Sequence, residues 1–120
     1  MPKWLLISAL LLTTCVAGAQ NAAIIDSLEK ELKSSTGVSR TDVLIELGWE
    51  LKYRNPDSST RLTEEALSLA KAQSYTKGLA LAHRNMAAIL IIQGKSREGL
   101  AYAEKALDYI KSTSDDFQKG

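Results

Sequence analysis

Apolar residues recur at intervals of three and four along most of the chain. No stretch alternates apolar and polar at period two for long enough to predict a strand. Ile25, Leu28 and Leu32, with Ile24 beside them, form a first stripe over residues 21–33, while Asp26, Glu29, Lys30, Glu31 and Lys33 face outward; Ser34-Ser35-Thr36-Gly37 ends this helix. Val43, Leu44, Leu47 and Leu51 predict a second helix over 41–54, with Ser39 and Thr41 as plausible caps. Asn55-Pro56-Asp57 marks a boundary, because the residue before proline leaves the helical region and proline suits the first position of a new helix. That third helix runs to about Ala72, with Leu62, Ala66, Leu69 and Ala70 inward, and residues 73–77 connect it onward.

The next pair carries the clearest signal. Leu79, Ala82, Met86, Ala87, Leu90 and Ile91 lie on one helical face, and Leu100, Ala103, Leu107 and Ile110 on another. Between them stands Gln93-Gly94-Lys95. Glycine just past a helix end can close the last turn in the left-handed conformation, and Ser96 can then cap the following helix. So short a connection makes the two helices antiparallel neighbours. Ser112–Asp116 reads as a loop. The prediction is all-α.

The two hairpins repeat one another. Glu64, Ala66, Leu67 and Lys71 match Glu104, Ala106, Leu107 and Lys111 at an offset of 40, and Leu47-Gly48 and Leu51 match Met86-Ala87 and Leu90 at an offset of 39. The one-residue slip falls in the turn, where Arg54-Asn55-Pro56-Asp57 stands in place of Gln93-Gly94-Lys95-Ser96. Phe117-Gln118-Lys119-Gly120 also echoes Tyr75-Thr76-Lys77-Gly78. Repetition at this scale is the mark of a solenoid. Each unit buries its apolar face only against neighbours, and about three units are needed for stability. Two units and a leader helix therefore imply a longer parent chain or, as the alternative, association through the open C-terminal end.

The segment from Leu79 to Lys111 resembles a tetratricopeptide repeat (TPR). The motif positions fall on His83, Met86-Ala87, Leu90, Gly94, Gly99 and Ala106, and Glu104-Lys105-Ala106-Leu107 is close to the usual E-K-A-L. His83 in place of the large residue and Met86-Ala87 in place of Leu-Gly depart from the pattern. The period exceeds the usual ~34 residues and resembles the longer-helix variant of the family. The resemblance covers about 40–111. It implies an antiparallel helix-hairpin solenoid of two repeats, about 40–73 and 79–111 within 39–120, preceded by a leader helix in 20–38. With the N-A-A-I-I-D-S-L leader, the chain also resembles the exported N-terminal sensory region of membrane-anchored histidine kinases and related regulators of Bacteroidetes-type bacteria. That implies a module for binding proteins in signal transduction; the alternative is a self-associating, stand-alone structural protein.

Residues 1–19 have the form of a secretory signal: Lys3, an apolar run from Trp4 to Val16, and Ala17-Gly18-Ala19 before Gln20. The run is shorter than the ~20 residues that a span requires. Leu12-Thr13-Thr14-Cys15 loosely resembles a lipobox, but Thr14 stands where that pattern wants Gly, Ala or Ser. The expected product is periplasmic or secreted, and it loses the single cysteine, which leaves neither disulfide nor thiol. The formal charge of +1 gives no basic excess to attract nucleic acid or an anionic membrane.

Little chemistry is visible. His83 is the sole histidine and sits at a helix-packing position. The acidic pairs Glu64-Glu65 and Asp115-Asp116 are sequence neighbours that do not converge. No nucleophile elbow, phosphate loop or zinc motif is present. No enzyme activity, metal or cofactor is expected. The family resemblance places the first helix of each repeat along a concave groove, which would show Trp49, Lys52 and Tyr53 from repeat one and Arg84, Asn85, Ala88 and Ile92 from repeat two. Asn85 could hold a ligand backbone through its two-sided amide.

Overall fold

The computed structural model describes residues 21–119, with side chains as far as residue 114; the signal-like segment and Cys15 lie outside the described residues. Among the described residues five helices follow one another: α1 (21–34), α2 (Gly37–Leu51), α3 (Pro56–Ala72), α4 (Thr76–Ile92) and α5 (Ser96–Lys119). No strand occurs among the described residues. Helix α2 packs on α3, α3 on α4 and α4 on α5, and α2 also reaches α4. The sequence offsets reappear in the helix starts, since α4 begins 39 residues after α2 and α5 begins 40 after α3.

Two clusters form the core. Ile25 and Leu28 of α1 meet Val43, Leu47 and Leu51 of α2. Leu44 and Ile45 of α2 meet Ala66 of α3 and Ala82 of α4, where alanine lets three helices approach closely. Burying each leucine or isoleucine contributes roughly 1.5–3 kcal/mol. Leu32 and Leu62 border both clusters.

The connections differ from the expected ones in physical detail. Helix α2 starts at Gly37, four residues before Thr41, because Gly37 adopts φ +61 and turns the chain directly after α1. Arg40 ties the corner: its guanidinium donates to the Leu32 carbonyl at 3.1 Å and to Glu65 Oε1 at 3.2 Å. Thr41, expected as a cap, is instead fully buried and donates to Gln73 Oε1 at 2.7 Å. Helix α2 ends at Leu51 rather than Arg54. Asn55 and Pro56 open α3 as expected, with the Asn55 side chain accepting from the Ser58 amide at 3.2 Å.

Both later connections close α helices in the same way. After α3 the Tyr75 amide donates to Ala70 O and Ser74 to Lys71 O; after α4 the Lys95 amide donates to Leu90 O and Gly94 to Ile91 O. These are Schellman closures centred on Ser74 (φ 50) and Gly94 (φ 80). Ser74 lets α4 begin at Thr76, two residues earlier than the expected connector allows. Ser96 is the first residue of α5, so Lys95 occupies the capping place. Residues 112–116, expected as a loop, continue α5. They contain neither glycine nor proline, and Thr113 satisfies its hydroxyl within the helix by donating to Tyr109 O at 2.8 Å.

The stripe on α5 is the other correction. Leu100, Leu107 and Ile110 are more than half exposed, as is Ile91 on α4, while Ala106 is buried. Helix α5 meets α4 through small residues and the rings of Tyr102 and Tyr109, and leaves Leu100, Leu107 and Ile110 uncovered.

Candidate functional site

The seven groove residues expected from the sequence divide into a surface cluster and a buried tie. Trp49 lies at the end of α2, with Lys52 and Tyr53 in the turn that follows. The backward fold of that turn sets the Lys52 ammonium 3.7 Å from the Trp49 ring centroid and 5.0 Å from that of Tyr53. Lys52 also donates to the Trp49 carbonyl at 3.2 Å. From α4, the Arg84 guanidinium carbon stands 4.1 Å from the same Trp49 ring. Two cations from separate elements thus converge on one indole, the best aromatic partner for a cation.

The electrostatics follow from this crowding. Burial lowers the Lys52 ammonium below its usual range; nearby Glu50 opposes the shift and Arg84 adds to it. Burial also lowers Arg84. Neither cation is in an ion pair among the described residues. Glu50 accepts instead from Asn21 of α1 at 2.6 Å.

Asn85 is not a surface residue. It is 1% exposed; its amide nitrogen donates to the Ile45 carbonyl at 2.8 Å, and its oxygen accepts from Arg84 at 3.0 Å. Both ends are occupied, so the expected role of holding a ligand backbone is replaced by one of joining α4 to α2 and steadying Arg84. Ala88 is half-buried, Ile92 lies at the margin of exposure and Tyr53 projects outward. The residues brought together are therefore Trp49, Lys52, Tyr53 and Arg84.

His83 is packed. It is buried against α5, with its ring 5.8 and 5.3 Å from the Tyr102 and Tyr109 rings. Its Nδ1 lies 2.7 Å from the Leu79 carbonyl, which can only accept, so Nδ1 carries the proton. No group of three or more His, Cys, Asp or Glu able to hold a metal occurs among the described residues. No described helix is long and apolar enough to cross a membrane.

A second feature was partly legible in the α5 stripe. Two adjoining hollows, about 380 and 330 Å³, run between α4 and α5 and share Ala80, Leu81 and Ile110 as walls. Lys77 lies at one end and Arg84 along the side.

No family model matches the chain, and comparison with curated proteins and with solved structures likewise returns no match.

Proposed function

We propose that the chain is an exported protein–protein interaction module, built as a TPR-like helix-hairpin solenoid, that holds an acidic segment of a partner protein against α2 and α4. The carrying observation is the convergence of Lys52 and Arg84 on Trp49 without a carboxylate partner. Two cations held against one aromatic ring, with no carboxylate paired to either among the described residues, suit a carboxylate of the partner, which both can reach. The repeat offsets, shared by sequence and helix starts, support the solenoid reading. The signal-like residues 1–19 support export, and the resemblance of the leader to sensory regions of bacterial regulators supports a place in a longer signalling protein.

In a Trp4→Phe background Trp49 is the sole tryptophan and is itself the reporter. Titrating the chain with an acetylated hexaglutamate peptide should change the indole emission saturably, and Arg84→Ala or added salt should remove the response. A Trp49 emission that does not respond at millimolar peptide would refute this reading. The exposed Leu100, Leu107 and Ile110 favour a second reading, self-association, which a molar-mass series across concentration decides.

A further inference from the structure

The hollow between α4 and α5 has a counterpart inside the molecule. Shifting α4 back by 39 and α5 back by 40 carries Arg84 onto Ile45, Ala106 onto Ala66 and Ile110 onto Ala70. In the first hairpin those three positions are 2%, 0% and 0% exposed, because the stripe of α4 that includes Gly78, Ala82 and Asn85 is laid against them. In the second hairpin Ala106 stays buried at 5%, but the surface around it is open: Arg84 is exposed, Ile110 is 53% exposed and Leu107, equivalent to the half-buried Leu67, is 55% exposed. The substitutions are directional. Two apolar positions of the first hairpin, Val38 and Ile45, become Lys77 and Arg84, and both cations line the hollow.

We infer that this face receives an amphipathic α-helix of a partner protein, seated as α4 sits on the first hairpin and bearing a carboxylate toward Arg84. The template sets the occupant's chemistry. A helix seated in that register needs small residues where α4 has Gly78 and Ala82, since a Cβ at Gly78 already meets Ala70 at 3.2 Å and Ile110 is bulkier than Ala70. It needs an acid where α4 has Asn85, because Arg84 replaces the neutral Ile45. The walls contributed by Ala80, Leu81, Leu107 and Ile110 supply the apolar contact.

The probe is a peptide with the sequence of residues 76–92, carrying Asn85→Glu and, at two positions exposed in α4, Ile91→Lys and Ile92→Lys for solubility. It is titrated into the isotope-labelled full chain while amide and methyl resonances of α4 and α5 are followed. The expected result is saturable shifts at Leu107, Ile110 and Ala80, weakened at least tenfold by Ile110→Asp and again by reverting the acid to Asn. Both Ile110→Asp and Leu107→Lys alter exposed side chains, and circular dichroism melts identify whichever variant keeps the fold for the comparison. Absence of shifts at millimolar peptide would overturn the inference, as would binding indifferent to either substitution. A dimer of the chain that Ile110→Asp converts to monomer would overturn it in favour of a second copy on this face.

Discussion

The two hairpins use the same crossing with the parts exchanged. In the first, Gly48 of α2 faces Ser59 and Thr63 of α3, and Ser59 donates to the Gly48 carbonyl at 2.5 Å. In the second, Ala87 and Gly99 stand at the equivalent places, and a Cβ on Gly99 would come within 3.0 Å of the Ala87 carbonyl. The close approach is kept while the glycine moves from the first helix of the pair to the second. The environments also diverge: the first hairpin is covered by α1 on one side and α4 on the other, whereas among the described residues the second is covered on one side only. Equivalent residues therefore carry unequal energetic weight.

The sharpest test of the exchange is Gly48→Ala. Its new methyl would lie 2.7 Å from Thr63 Oγ1, and overpacking of this kind costs about 1–3 kcal/mol. Adding Thr63→Ala should recover most of the loss, since the pair then matches Ala87 and Ala103 and removes a buried hydroxyl without a partner. Urea unfolding of the single and double variants decides; no recovery would show that the backbone crossing, not the hydroxyl, sets the limit.

The difference in cover is tested at Ala66 and Ala106. Ala66→Leu enters a cluster closed by Leu44, Ile45 and Ala82 and should cost about 1–3 kcal/mol. Ala106→Leu can extend into the hollow of about 330 Å³ and should cost clearly less in the same assay. Equal losses would mean that the second face is closed in solution.

Helix entry differs too. Asn55 caps α3 through its side chain, and its equivalent before α5 is Lys95. Asn55→Ala should lower stability by about 1 kcal/mol, and Lys95→Asn should raise it by up to ~1 kcal/mol, read as opposite shifts in melting temperature.

The smallest effect is one of pH. The Tyr75 hydroxyl donates to Asp42 at 2.7 Å, a pair with no counterpart in the second hairpin, where Leu81 replaces Asp42. Burial, the hydrogen bond and the negative charge of Asp42 push Tyr75 up to about 12 from 10.0. The folded value exceeds the unfolded one, so this contribution is fully present below pH 10 and is lost as pH rises toward 12. The drop in melting temperature across that window should be smaller in Tyr75→Phe; an identical drop would dissociate the pair from alkaline stability.

Periodicity alone located every described helix, and the local chemistry of Asn55-Pro56 and Gly94 placed two of the turns, because caps and left-handed glycines act within a few residues. The 39- and 40-residue offsets were legible for the same reason: they repeat local patterns. Tertiary structure decided the rest. Ser74 adopts a left-handed conformation that its residue type does not advertise, because the packing of α3 against α4 requires a tight closure there. Asn85 reads as a surface amide until α2 presents the Ile45 carbonyl to it. The stripe of Leu100, Leu107 and Ile110 reads as core, yet an apolar face is buried only if another element lies upon it, and in the described structure none does. The family resemblance groups Trp49, Lys52 and Arg84 in one groove, but their convergence on a single indole follows only from α2 and α4, far apart in sequence, packing side by side.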